Sequence, residues 1–80
     1  MKRFEIGSTY RMGWIGDSDL VTYFKVLKRT ELTVQIEDQT TGEKRTCRIQ
    51  KDLSAMNKAE TVKPYGSYSM APSLHADWVA

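Results

Sequence analysis

A strict alternation of apolar and polar residues over positions 32–37 most constrains the fold of this chain. Such a period of two is typical of a β-strand that buries one face and exposes the other. The residues that follow, 39–42, form a predicted hairpin loop in which Gly42 supplies the left-handed backbone conformation. The chain is then expected to return as an antiparallel strand over residues 43–49.

The two faces of this hairpin fix its predicted register. Pairing Asp38 with Glu43 places apolar residues mainly on one face and polar or oppositely charged pairs on the other. The first face pairs Leu32 with Ile49, Val34 with Cys47 and Ile36 with Arg45. The second pairs Thr33 with Arg48, Gln35 with Thr46 and Glu37 with Lys44. A slip of one residue would turn the apolar set toward water, so only this parity satisfies both faces.

Further elements are predicted on both sides of the hairpin. The strands cover residues 4–12, with Gly7 as a bend or bulge, and residues 21–27, 60–65 and 67–71. A short helix is predicted over residues 52–59 with Asp52 as its cap. Its apolar stripe is formed by Leu53, Met56 and Ala59.

Several short antiparallel strands with no room for crossover connections predict an all-β fold. We expect a small, partly open antiparallel barrel of about five strands, like Src-homology-3 or Tudor domains, with one short helical insert. The alternative is an α+β roll in which the helix lies across one open sheet. The predicted core comprises Phe4, Ile6, Phe24, Val26, Leu32, Val34, Ile36, Ile49, Val62 and Met70.

Length and composition favour one globular domain over residues 1–80, with a core over about 3–72 and a loose tail over 73–80. No apolar run approaches the roughly 20 residues that span a bilayer, so we expect no membrane association. Cys47 is the single cysteine, which forbids an internal disulfide and favours a cytoplasmic location. Exposed strand edges would allow a homodimer to form by edge pairing.

Several segments resemble a group of small uncharacterised proteins encoded on phages and conjugative elements of Gram-positive gut bacteria. The likeness lies in residues 4–10, 26–34, 47–49 and 64–72, and it covers most of the chain to about Asp77. Its most specific part is Ser67-Tyr68-Ser69-Met70-Ala71-Pro72. The resemblance implies a mobile-element context, in which small proteins often bind nucleic acid or block a defence enzyme. It implies no activity and no site residues.

Catalytic and metal sites are poorly represented in the sequence. Ser73, His75 and Asp77 would share one face of a strand, but residues two apart lie about 6.5–7 Å from each other, too far for a nucleophile and its base. One histidine and one cysteine do not make a structural zinc site, which usually takes four such ligands. We therefore expect no enzyme, no metal and no cofactor.

A basic cluster gives the first candidate binding site. Lys44, Arg48 and Lys51 follow the hairpin turn, and Lys25 lies on the strand that should neighbour it. These cations could contact phosphates and release counterions. The nearby acids Glu31, Glu37 and Glu43 would partly neutralise them, so an ordinary solvated face is the alternative reading.

Aromatic and apolar residues give the second candidate. Trp14 and Ile15 lie in a predicted loop framed by glycines, and Tyr65, Tyr68 and Met70 lie in a later segment. If the two segments converge, they would form a hot spot for a protein partner. The Trp14 loop could equally fold back and close the end of the barrel.

These patterns favour a non-enzymatic macromolecule-binding module of a mobile genetic element. Nucleic acid is one class of partner. The alternative is a host protein complex, which the chain would inhibit in the manner of an anti-CRISPR or anti-restriction protein.

Overall fold

The computed structural model describes residues 1–14, 17–66 and 71–80, with the backbone alone at 17 and 18. Within these ranges the elements follow in the order β1 (Thr9–Trp14), β2 (Asp17–Arg29), β3 (Thr33–Asp38), β4 (Lys44–Arg48), α1 (Lys51–Asn57), β5 (Thr61–Val62) and β6 (Leu74–His75). Strands β1 to β4 form an antiparallel sheet in sequence order, and β5 pairs with β6 in a second, two-stranded antiparallel sheet. The prediction of a mostly β fold with one short helix is thus confirmed. The described strands form an open four-stranded sheet and a small second sheet, and they do not close into a barrel.

The hairpin of β3 and β4 has the predicted register. Its five Cα pairs run from Thr33 opposite Arg48 to Glu37 opposite Lys44, and the Asp38 N–H donates to the Glu43 carbonyl at 2.9 Å. The Asp38 carboxylate also accepts the backbone N–H of Thr40 at 2.7 Å, which shapes the turn. Gly42 has a φ of 77°, as the loop requires.

The N-terminal segment differs from the predicted strand over 4–12. The chain turns at Gly7, which has a φ of 89°, and β1 begins only at Thr9. Phe4 enters the core from outside the sheet, whereas Ile6 lies on the turn and is 63% exposed, so its prediction as a core residue is wrong. The Tyr10 hydroxyl accepts the Glu5 N–H at 2.8 Å and holds the turn against the sheet.

Strand β2 is much longer than the predicted strand over 21–27, and most of the predicted loop over 13–19 belongs to β1 and β2. Its register with β3 shifts between Val26 and Lys28, which leaves Leu27 as a bulge residue. Because of this bulge, Phe24 and Val26 point to the core on one side of it, and Arg29 points to the same side beyond it. Val21 and Tyr23, the apolar residues of the other parity, precede the bulge and lie on the opposite face of the sheet.

The C-terminal segment is not a loose tail. Leu74 is fully buried and Ala76 is 2% exposed. Val79 pairs with Tyr10 on the free edge of β1, where the Arg11 N–H donates to the Trp78 carbonyl at 2.8 Å. The C-terminal segment thus pairs with the backbone N–H and carbonyl groups on the edge of β1 that β2 does not reach.

The helix begins one residue earlier than predicted and ends at Asn57, where Lys58 follows in the left-handed conformation with a φ of 54°. Ser54 is its buried residue, and the exposure of Met56 (78%) contradicts the predicted stripe. The strand predicted over 60–65 is reduced to Thr61–Val62, and the one over 67–71 falls largely outside the described residues.

The core lies between the inner face of the large sheet and the segments that follow α1. Six of the predicted core residues are buried, namely Phe4, Phe24, Val26, Val34, Ile36 and Val62. Leu32 is 48% exposed because it precedes β3, and Ile49 is only partly buried. Met70 lies outside the described residues. The core also contains residues that were not predicted, among them Tyr10, Met12, Ala59, Leu74 and Ala76.

Candidate nucleic-acid interface

The four-stranded sheet has an outer face that points away from the core. Strand alternation and the observed register assign its residues across the four strands. The register gives this outer face thirteen positions: Thr9, Arg11, Gly13, Val21, Tyr23, Lys25, Lys28, Thr33, Gln35, Glu37, Lys44, Thr46 and Arg48. Five of these residues are cationic, and Glu37 is the carboxylate among them. Two further exposed acids lie toward one end of the same face, namely Asp19, two residues before Val21 on β2, and Asp77 on the C-terminal segment. A chain whose net charge is only +2 therefore concentrates positive charge on one surface.

The register also fixes which outer-face residues are neighbours. Lys25 on β2 and Lys44 on β4 lie on either side of Glu37 on β3. Adjacent strands are about 4.8 Å apart, so the two lysines can share the charge of a single carboxylate. Lys28 lies opposite Gln35, and Arg48 lies opposite Thr33. These two cations face neutral partners.

Two of the three acids that were expected to neutralise the cluster pair with other arginines. Glu43 bonds to Arg45 at 2.9 Å, and Glu31 bonds to Arg3 at 3.3 Å. Glu37 alone lies on the outer face, where its carboxylate accepts a hydrogen bond from Gln39 at 3.2 Å. The outer face is therefore more positive than the sequence order of the charges indicates.

The five outer-face cations are exposed, and within the described part of the chain their side chains form no ion pair. They are Arg11, Lys25, Lys28, Lys44 and Arg48. Exposed unpaired cations keep their charge available for an anionic ligand. Lys51, the remaining predicted cation, is exposed at the start of α1 and lies outside the sheet.

Arg29 is excluded from this surface by the bulge in β2. Its guanidinium makes a bidentate contact with Glu60, at 2.6 and 2.8 Å, and also donates to the Phe4 carbonyl at 2.7 Å. The hydrogen bond to Glu60 raises the pKa of Arg29. Burial raises the pKa of Glu60, but the hydrogen bonds from Arg29 and the Phe4 N–H outweigh it, and the net pKa lies below the ordinary value. This pair links β2 to the N-terminal segment and to the segment that precedes β5.

Two exposed aromatic residues flank Arg11. Tyr23 is its partner on β2, and Trp78 is its neighbour on the C-terminal segment, with 42% exposure for each aromatic residue. The Trp78 indole stacks on His75 with ring centroids 3.8 Å apart and an angle of 7°. A surface cavity of about 440 Å³ lies here, lined by Arg11, Gly13, Val21, Asp77, Trp78 and Val79. We call it the Trp78 cavity.

The predicted partner-binding residues are brought together in part. Trp14 lies at the end of β1 rather than in a loop, and its ring contacts that of Tyr65 at 5.0 Å between centroids. Both rings are partly buried against the core. The Trp14 indole N–H donates to Thr22 at 2.9 Å, and Arg45 covers Tyr65 at 4.8 Å. The rings thus close one edge of the core, while Ile15, Tyr68 and Met70 lie outside the described residues.

The side chain of Cys47 is shielded from solvent by the packing around it, and that of His75 is partly shielded. Burial raises the pKa of the Cys47 thiol, which Arg45 opposes, and burial lowers the pKa of His75, which Asp77 opposes. No cluster of three or more potential metal ligands occurs among residues 1–14, 17–66 and 71–80. The same residues include no helix that is long and apolar enough to cross a membrane.

Sequence patterns did not identify Arg11, Tyr23 and Trp78 as parts of one surface. The alternation around Tyr10 and Met12 does place Arg11 on the polar side of its strand. The bulge at Leu27 and the pairing of the C-terminal segment have no comparable local signal in the sequence.

Comparison with protein-family models, curated proteins and solved structures gives no match.

Proposed function

We propose that this protein is a non-enzymatic binding module that holds nucleic acid on the outer face of its four-stranded sheet. The observation that carries the proposal is that five exposed cations share the outer face with Glu37, while the carboxylates of Asp19 and Asp77 lie toward the β1–β2 end of that face. Phosphates bind such a surface by displacing condensed counterions, a gain that does not depend on base sequence. An ordinary solvated strand face would mix both signs of charge more evenly.

The shape of the sheet suits an extended anionic chain. Lys44 and Arg48 are four residues apart on β4, which places them about 13 Å from each other along the strand. Lys25 and Lys28 extend the positive surface across β2. A polyanion that crosses the sheet therefore meets a cation on several strands, and no deep pocket is needed for the phosphates.

A pair of charge reversals tests this proposal. Lys28→Glu with Arg48→Glu changes two outer-face cations whose cross-strand neighbours are neutral, so no new like-charge pair forms within the sheet. The control, Lys2→Glu with Lys63→Glu, changes the net charge equally but lies beside α1 and β5. Affinity for a fluorescently labelled oligonucleotide is measured by anisotropy at low salt.

We expect the outer-face variant to bind about tenfold more weakly, because each exposed charge contact contributes up to about 1 kcal/mol. The control variant should lose much less affinity. Equal losses in the two variants would indicate an unspecific effect of net charge. Absence of salt-sensitive binding by the wild-type protein would refute the proposal.

The second candidate is a protein inhibitor of a host defence complex, of anti-CRISPR or anti-restriction type. The contact between Trp14 and Tyr65 favours it, because one aromatic cluster joins two of the predicted partner-binding segments. The internal hydrogen bond of Trp14 to Thr22 favours a structural role for that ring instead. A stoichiometric protein complex that persists at high salt would support this second candidate over nucleic-acid binding.

We propose in addition that the protein comes from a mobile genetic element and that it is located in the cytoplasm. They are supported by the resemblance of residues 64–72 and by the single cysteine. We also propose that the sheet is related in architecture to the partly open barrels of Src-homology-3 and Tudor domains. It is supported by the meander of four antiparallel strands.

A further inference from the structure

Gly13 leaves one part of the wall of the Trp78 cavity without a side chain. Gly13 lies on the outer face opposite Val21 and two residues after Arg11. A Cβ added at Gly13 would meet nothing within 4 Å, and its φ is outside the left-handed region. Neither backbone conformation nor crowding requires glycine at this position. The cavity that it lines has a volume of about 440 Å³, within the size range of small-molecule sites.

Trp78 is held in place for stacking. His75 covers one side of its indole at 3.8 Å, and 42% of the residue remains exposed. The backbone is held as well: the Trp78 backbone N–H donates to the His75 carbonyl at 3.1 Å, and the Trp78 carbonyl accepts the Arg11 backbone N–H at 2.8 Å. A ring that is already fixed loses little conformational entropy when a ligand stacks on it.

The charges around the cavity favour the phosphate and the base of a nucleotide at different places. Arg11 and the cations of the outer face attract phosphate, whereas Asp77 is a lining residue of the cavity and its negative charge repels phosphate. A neutral base avoids this repulsion. Cytosine, adenine and guanine also carry exocyclic amino groups that can donate to a carboxylate.

We propose that the nucleic acid is single-stranded and that one unstacked base enters the Trp78 cavity. The base stacks on the exposed side of the Trp78 indole, above the backbone of Gly13, and donates its amino group to Asp77. The sugar-phosphate chain continues over Arg11 toward Lys25. A paired base within a duplex cannot reach this position without leaving its stack. The inference rests on the proposed function and adds the strand type and the base subsite.

Intrinsic fluorescence tests the inference directly. Trp14 and Trp78 are the two tryptophans of the chain. In a Trp14→Phe background, Trp78 becomes the only indole reporter, and Phe keeps an aromatic ring beside Tyr65. The probes are a single-stranded oligocytidine, an abasic backbone of equal length and a duplex of equal length. We expect the oligocytidine to quench Trp78 and to bind about 5- to 150-fold more tightly than the abasic chain.

A side chain that projects into the cavity from position 13 provides the matched variant. Gly13→Val suits a strand and has space for its side chain, and it should abolish both the quenching and the advantage of the oligocytidine over the abasic chain. Thr46→Val, on β4 of the same face, is the control and should change neither. Trp78→Leu, measured by anisotropy, provides a second test if Gly13→Val does not fold.

The outcomes separate the two proposals. Salt-sensitive binding that is equal for the oligocytidine and the abasic chain would overturn the base subsite and leave the phosphate-binding face standing. Stronger binding of the duplex would overturn the single-strand assignment. If the wild-type protein shows no salt-sensitive binding to any of the three probes, the proposed function itself is refuted.

Discussion

Glu60 joins three distant parts of the chain, and replacing it by glutamine isolates this role. Its carboxylate accepts the Phe4 N–H at 2.7 Å and two hydrogen bonds from Arg29 at 2.6 and 2.8 Å. The side chain is 8% exposed, and that of Arg29 is 12% exposed. Glu60→Gln keeps the shape and one oxygen acceptor but removes the negative charge. The Arg29 guanidinium then remains buried without its counter-charge.

The expected loss of stability is large for a chain of this size. Breaking a buried ion pair by removing one partner costs about 3–5 kcal/mol. We expect the lower end, about 3 kcal/mol, because glutamine still accepts one hydrogen bond. The free energy of unfolding of an 80-residue domain is about 4–12 kcal/mol. At about 4–8 °C for each kcal/mol, Tm should fall by about 12–24 °C.

Thermal and urea unfolding, followed by circular dichroism, measure this loss. The control is Glu31→Gln, since Glu31 is 87% exposed and pairs with Arg3 at 3.3 Å. A surface pair of this kind contributes less than about 1 kcal/mol. Equal effects of the two substitutions would refute the structural role assigned to Glu60.

The pH dependence gives a second check on Glu60. Its pKa is lower in the folded protein than in the unfolded chain, where glutamate titrates near about 4.3. The contribution of this carboxylate is therefore present above about pH 4.3 and is lost as the pH falls through the folded-state pKa. The stability difference between wild type and Glu60→Gln should narrow over that interval. A difference that stays constant on acidification would contradict the lowered pKa.

Two further predictions concern the core. Met12→Ala should destabilise the protein by about 2–5 kcal/mol because Met12 is fully buried, whereas Ile6→Ala should have little effect because Ile6 is 63% exposed; similar losses in urea unfolding would contradict the turn at Gly7. Cys47 is 8% exposed and its pKa is raised by burial. Its thiol should react slowly with a chromogenic disulfide in the folded protein and rapidly in denaturant, and equal rates would contradict its burial.

The β3–β4 hairpin was predictable because its information is local. Alternation sets both faces, Asp38 and Gly42 specify the turn, and a shift of one residue would expose apolar side chains. The register was therefore predicted pair by pair. The same alternation gave the wrong result at Ile6, because residues 5–8 form a turn instead of continuing β1.

The candidate interface could be predicted only in part. Lys44 and Arg48 share a face because they are four residues apart on a regular strand. Lys25 and Lys28 are three apart, and alternation would place them on opposite faces. The bulge at Leu27 brings them to the same side. Trp78 joins the surface through pairing with β1, a contact 67 residues away in sequence from Arg11 that no local pattern specifies.

The salt dependence of binding to a single-stranded oligonucleotide tests the central claim most directly. If the five outer-face cations each contact a phosphate, the logarithm of the association constant should fall with the logarithm of salt concentration with a slope of about −3.5. The Lys28→Glu and Arg48→Glu double variant should reduce the magnitude of this slope by about 1.4, since two phosphate contacts are lost. A slope near zero, or one that the double variant leaves unchanged, would contradict nucleic-acid binding by the outer face.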